Sequence, residues 1–152
     1  MARKILLQRS VRVLIADDDR ELANAVASYV RYCNADVVAT VTTGGVDVIR
    51  NVDRFHPDII LMDIMMPRLN GLTVCHHILS RHPNTKIVLF SGKLDSKHPY
   101  VTGSGAAAFI AKPVKLAELR LVLEDVVRSS KETHNHDDEL KEEAIAASVE
   151  AA

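Results

Sequence analysis

Tryptophan is missing from this chain, and phenylalanine and tyrosine supply three residues each, so the interior has to be closed by aliphatic side chains. Hydrophobic residues still make up 47% of the 152. A core of Val, Ile, Leu and Ala suits parallel strands buried under helices on both faces. Cysteine is scarce too. Cys33 and Cys75 lack the spacing of a metal knuckle or a disulfide framework, and both fall on apolar helix faces, where a buried free thiol is the ordinary expectation. Long apolar runs are also absent: nothing approaches the roughly 18 residues of a membrane span. The basic opening MARKILLQRS holds only Ile5-Leu6-Leu7 as an apolar stretch, far short of a signal-peptide hydrophobic region. A cytoplasmic protein without membrane insertion is expected, and its length suits one domain.

No strong charge of one sign dominates either, since the formal net charge is -1. That value hides an asymmetry. Residues 131–152 carry seven acids and two bases, which leaves the preceding segment net positive. The bases there are scattered rather than gathered into a stripe with aromatics between them, so direct nucleic-acid binding is not expected.

Five apolar segments, at 11–16, 36–41, 58–62, 86–90 and 106–111, read as strands, and the stretches between them return apolar residues at helical spacing. The first helix places Leu22, Val26, Tyr29, Val30 and Cys33 on one face, with the acidic run at 17–19 favouring its N-terminus. A second follows Thr42-Thr43, turns Val46, Ile49, Val52 and Phe55 inward, and stops before Pro57. A third runs from Asn70 to about Arg81 and buries Leu72, Cys75, Ile78 and Leu79. A last one, from Lys115 to about Arg128, faces the sheet with Leu116, Leu119, Leu123 and Val126. Gly92, Pro99, Gly103 and Gly105 break any pattern over 92–105, where a short or irregular helix is expected. Residues 1–10 read as an extension and 11–130 as the domain. The acidic tail 131–152 is expected to be solvated and disordered, or partly helical.

Alternation of strand and helix argues a doubly wound parallel sheet with right-handed crossovers. Ligands of such sheets bind at the carboxyl ends of the strands. Those ends here carry Asp17, Asp18 and Asp19, then Asp63, then Ser91, then Lys112. The second strand ends in uncharged Thr40-Val41-Thr42, as an outer strand in the order 2-1-3-4-5 should. Carboxylates gathered at about 4 Å repel by about 4 kcal/mol per pair at an effective dielectric near 20, so Asp17, Asp18 and Asp63 require a cation or protonation. Mg²⁺ suits an all-oxygen set, and the lack of His or Cys at these ends disfavours zinc. A carboxylate in that position can form an aspartyl phosphate, with Lys112 neutralising phosphoryl oxygens and the Ser91 hydroxyl donating to one of them.

The segments RVLIADDD, PDIILMDIMMPRLNG, IVLFSG and AAFIAKP resemble the receiver domains of two-component response regulators over about residues 11–128. The resemblance implies a flavodoxin-like α/β fold and phosphorylation of Asp63 by a histidine kinase or histidine phosphotransfer protein. It implies Mg²⁺ held by Asp17, Asp18, Asp63 and the backbone carbonyl of Met65. Ser91 and Phe109 correspond to the pair that reorients on phosphorylation, and the peptide before Pro113 is expected to be cis. Phe109 has no hydroxyl, so its switching would rest on packing. No effector-like segment is read after residue 130, so a stand-alone switch or phosphorelay intermediate is expected rather than a turnover enzyme.

Other classes fare worse. A haloacid-dehalogenase-like phosphatase wants a second acid two residues after the nucleophile, and Met65 stands there. A nucleotide or flavin binder needs a phosphate-cradling loop where Asp17 to Asp19 would repel phosphate. A receiver-like scaffold that never accepts phosphate stays open. His76 and His77 point in different directions on a helix, and His134 and His136 have nothing to fix their geometry, so neither pair is read as a site.

Overall fold

The computed structural model describes residues 10–33 and 35–150; nearly all of the expected 1–10 extension lies outside them. Strands β1 (Arg12–Ala16), β2 (Asp36–Val41), β3 (Ile59–Asp63), β4 (Lys86–Ser91) and β5 (Ala108–Ala111) pair in parallel in the order β2-β1-β3-β4-β5. Helices α1 (Arg20–Tyr32), α2 (Gly45–Phe55), α3 (Gly71–Arg81), α4 (Pro99–Thr102) and α5 (Leu116–Glu150) alternate with them. This is the expected flavodoxin-like topology.

Alternate residues of a strand point to opposite faces, and the core divides accordingly. Val13, Ile15, Leu61, Phe90 and Ile110 pack under α1 and α5 against Val26, Val30, Leu119 and Leu123. Leu14, Ile60, Met62, Ile87 and Leu89 pack on the other side against Val48 and Val52 of α2 and Val74, Cys75 and Ile78 of α3. Both cysteines are buried and free, and burial pushes the Cys75 thiol up to about 12.

Three helical faces differ from the pattern read in the sequence. Val46 is 69% exposed, and Val48 takes the buried position. The phase is set by Gly45, where a Cβ would come within 2.8 Å of Val74 Cγ2. With residue 45 against α3, positions 48, 49 and 52 face inward and 46 turns out. Leu116 is 47% exposed, because it opens α5 a turn before Leu119 first meets the sheet. In α3, Val74 is buried while Leu72 is only half-buried.

Helix α5 continues past the expected end near Arg128 to Glu150. No proline or glycine follows Pro113, and the segment is rich in Glu, Lys, Leu and Ala, so nothing in it stops propagation. Between β4 and β5 the structure has a single turn, α4, with Pro99 at its first position and Gly103 at its end. Gly105 follows at φ 76°, a left-handed conformation that glycine adopts without strain.

Leu119 is fully buried and Leu121 is 65% exposed on the same helix. Truncating Leu119 to alanine should therefore destabilise the fold by about 2–5 kcal/mol, whereas Leu121→Ala should stay within about 0.5 kcal/mol. Urea unfolding of the two variants, compared by midpoint, checks the assignment of the buried face.

Candidate functional site

Three of the five strands end in side chains that meet at one point. β1 ends at Ala16, so Asp17 leaves the sheet at its carboxyl edge, where its N–H donates to the Val41 carbonyl at 3.0 Å. Asp63 is the last residue of β3, and Lys112 follows the last residue of β5. Carboxylate oxygens of Asp17, Asp18 and Asp63 lie within 4.8 Å of one another. Asp17 and Asp63 are buried and Asp18 is exposed, so the cluster opens to solvent on the Asp18 side. Asp19 stands apart: its Oδ1 accepts from the Leu22 N–H at 3.1 Å and caps α1.

Lys112 Nζ lies 2.7 Å from Asp17 Oδ2 and 2.7 Å from Asp63 Oδ2. It donates a hydrogen bond to Asp63, while Asp17 Oδ2 remains a buried oxygen with no aligned donor. The other oxygens are held by backbone. Asp17 Oδ1 accepts from the Asp19 N–H at 2.8 Å, and Asp63 Oδ1 from the Met65 N–H at 2.8 Å. Burial raises the Asp17 carboxyl above 3.8, and the Lys112 ammonium and the Asp19 N–H only partly offset it. For Lys112, burial acts to lower the amine, but its bonds and charge pairing with Asp17 and Asp63 outweigh that, and the net shift is upward.

With the three carboxylates ionised and Lys112 charged, the site carries two uncompensated negative charges. A divalent cation would cancel them. The donors are all oxygen, and Asp17 Oδ2, buried beside the Lys112 ammonium without an aligned hydrogen bond, offers a ligand atom. These residues fit a hard ion such as Mg²⁺.

Ser91 closes β4 and is buried; its Oγ accepts from the Lys93 and Leu94 N–H groups at 3.1 and 3.0 Å. The hydroxyl proton remains available for donation. Phe109 pairs in register with Leu89 and packs half-buried on the α2/α3 side. The Lys112-Pro113 peptide is cis. His76 and His77 are exposed, with His76 Nε2 2.7 Å from the Gly103 carbonyl; the side chains of His134 and His136 lie outside those described.

The sequence reading missed two features. One is the Met65 N–H, which orients Asp63 and leaves no trace in side-chain chemistry. The other is a cavity of about 400 Å³ between the segments after β3 and β4, lined by Ile64, Met65, Leu69, Leu94, His98 and Tyr100 among others. Only the break in helical pattern over 92–105 hinted that something irregular sits there.

A family model described as "Response regulator receiver domain" matches residues 13–124. The chain belongs to the response regulator receiver family. Response regulator MprA of Mycobacterium ulcerans is 31% identical over 124 residues, covering 80% of this chain and 52% of that protein. DNA-binding response regulator MtrA of Mycolicibacterium paratuberculosis is 33% identical over 141 residues, covering 91% and 58%. The chain thus spans about half the length of the curated relatives it matches. Among solved structures, a LuxR-family two-component response regulator from an Aurantimonas species superposes with TM-score 0.71 at 22% identity, covering 80% of this chain and 87% of that one. The signal receiver domain of a modulated diguanylate cyclase from Desulfovibrio desulfuricans gives 0.72 at 23%, covering 81% and 98%. At such identities these two speak for the fold alone.

Replacing Lys112 with methionine strips Asp17 of its cationic neighbour, so its carboxyl should rise further above 3.8. A raised folded-state value means that the penalty is small below pH 3.8 and grows as pH climbs through the folded value. Lys112→Met should therefore cost about 3–5 kcal/mol at pH 7, as expected for breaking a buried pair, and much less near pH 4. Urea unfolding at both pH values measures the difference; an equal loss at the two would contradict the electrostatic role.

Proposed function

We propose that this receiver domain is a cytoplasmic signalling switch that accepts a phosphoryl group on Asp63 from a histidine kinase or histidine phosphotransfer protein. The observation that supports it best is the position of Asp63: a buried carboxylate at a strand end, one oxygen on Lys112 Nζ at 2.7 Å and the other on the Met65 N–H at 2.8 Å, beside two further acids. A structural lysine–aspartate pair would not need the second and third carboxylates, whose repulsion weakens the apo fold.

In the transfer, an Asp63 carboxylate oxygen attacks phosphorus while the phosphorus–nitrogen bond of a phosphohistidine breaks. The imidazole leaves with the bonding electron pair and can take up a proton. Lys112 moves from pairing with the carboxylates to pairing with a phosphoryl oxygen, and the Ser91 hydroxyl donates to another. Asp17, Asp18 and Asp63, with the Met65 carbonyl, are the residues that would hold Mg²⁺, which when bound supplies neutralising charge for the incoming phosphoryl oxygens. Loss of the Lys93 and Leu94 contacts to Ser91 Oγ would free the β4–α4 segment, and Phe109 would repack with it. The product is a changed surface rather than a released metabolite, so the domain serves as a switch or a phosphorelay intermediate. Scattered bases over residues 11–130 give no basis for direct DNA contact by this segment.

Acetyl phosphate should label the protein on one carboxylate only when Mg²⁺ is supplied, and beryllofluoride should bind under the same condition. Asp63→Asn should abolish labelling, read by intact-mass spectrometry as loss of the phosphoryl adduct. Undiminished labelling of that variant would sink the acceptor assignment. Mg²⁺ at ten times its dissociation constant should stabilise the wild type by about 1.4 kcal/mol, and Asp18→Asn should reduce that gain at the same concentration.

A further inference from the structure

The crossover from β4 to β5 is held near both ends by side chains of neighbouring elements. At its start the Lys93 and Leu94 N–H groups donate to Ser91 Oγ of β4 at 3.1 and 3.0 Å. Toward its end His76 Nε2, on the exposed side of α3, lies 2.7 Å from the Gly103 carbonyl oxygen. A carbonyl only accepts, so Nε2 carries the proton and the imidazole donates. Among the described residues, the other side-chain hydrogen bonds of 92–106 are local to it. Asp95 Oδ1 accepts from the Lys97 N–H, His98 Nδ1 from the Tyr100 N–H, and Ser104 Oγ bonds to Val101 and Ala106. Nothing in the phosphoryl chemistry itself uses His76.

The same face of α3 carries the rest of the turn. Leu72, His76 and Leu79 stand at positions i, i+4 and i+7, so they line up along one side of the helix. A Cβ at Gly103 would come within 3.0 Å of the Pro99 carbonyl oxygen and 3.7 Å of Leu72 Cδ1, and one at Gly105 within 2.8 Å of Leu79 Cδ1. The two glycines thus let the 103–105 backbone lie directly on α3, and both leucines are correspondingly half-buried. Apolar contact is non-directional and survives a small slide. The His76 bond has a defined length and angle, so it fixes the turn in one register. Helix α3 itself opens at Gly71, after the loop that follows Asp63, and is seated by buried Val74, Cys75 and Ile78. His76 therefore ties the helix on the acceptor side to the crossover on the Ser91 side.

We propose that His76 is a positioning residue for phosphoryl transfer: its bond to the Gly103 carbonyl latches the α4 turn to α3 in the unphosphorylated arrangement, and the latch opens when Ser91 turns to the phosphoryl group. This rests on the acceptor reading of Asp63. When Ser91 Oγ gives up Lys93 and Leu94, the crossover is released at one end only, because His76 and buried Val101 still hold the other. Moving the whole segment then costs the His76 bond, and phosphoryl binding has to supply that cost. A single hydrogen bond biases such an equilibrium by about two- to tenfold, enough to tune the switch and too little to lock it.

Two variants of the full chain separate the bond from the bulk of the side chain. His76→Leu removes the donor and keeps an apolar side chain on the turn, whereas His76→Gln restores an N–H donor at similar reach. Hydrogen exchange of the unphosphorylated protein reads the latch without phosphoryl chemistry, because the Gly103 and Ser104 N–H groups donate to the Pro99 and Val101 carbonyls and the Ala106 N–H to Ser104 Oγ. His76→Leu should speed exchange at these amides by about two- to tenfold, and His76→Gln should stay close to wild type. Beryllofluoride titration in Mg²⁺ then reads the switch. His76→Leu should bind about two- to tenfold more tightly, with His76→Gln again near wild type. Unchanged exchange in His76→Leu would overturn the latch, and His76→Gln behaving like His76→Leu would overturn the hydrogen bond as its cause. Faster exchange with unchanged or weaker beryllofluoride affinity would overturn the coupling to the acceptor site. A wild type that binds no beryllofluoride would overturn the acceptor reading and with it the role in transfer, while the exchange comparison still decides whether His76 holds the turn.

Discussion

The arrangement of the carboxyl edge of the sheet rests on one electrostatic constraint: Asp17, Asp18 and Asp63 are brought together with only Lys112 to balance them. One ammonium shared between two buried carboxylates at 2.7 Å makes the cluster tolerable without making it neutral. A surplus of two negative charges on an all-oxygen donor set is what suits the cluster to a hard divalent ion. In the proposed transfer the same surplus would let the lysine exchange its hold on a carboxylate for a phosphoryl oxygen at small net change in charge.

That constraint depends on the sheet. Asp63 is fixed because Ile59–Asp63 is buried along its whole length and registered between β1 and β4. Asp17 is fixed by its N–H on Val41 of the outer strand, and Lys112 by its N–H on the Ser91 carbonyl. Each charged side chain thus lies at the end of a rigid ladder or one residue beyond it, and a shift of one residue in any strand would turn it to the wrong face. Regular structure gives way between β4 and β5, where one turn of helix is followed by Gly103 and Gly105. The walls of the 400 Å³ cavity come from that segment and from the one after Asp63, so phosphoryl chemistry and cavity shape share the same backbone.

Much of this was legible in the residues. Strand positions followed from short apolar runs, since a strand buried on both faces leaves no other composition. The α1 cap followed from acids before an apolar-periodic stretch, and Asp19 is the residue that performs it. Helix faces were less legible. The period of α2 was correct but its phase was not, because Gly45 carries no side chain to signal that it packs against Val74. The expectation for 131–152 put disorder ahead of helix because composition reports the lack of a core, whereas continuation of α5 depends on what precedes the segment.

Residue types and their order were therefore enough to indicate the topology and to name Asp17, Asp18, Asp63 and Lys112, which the fold brings together, because strand-end chemistry is written locally. What only the tertiary structure decided was how those groups share charge: which oxygen takes the lysine, which takes a backbone N–H, and which is left buried without an aligned donor. Those are distances between residues far apart in the chain, set by packing on both sides of the sheet. No local pattern encodes them.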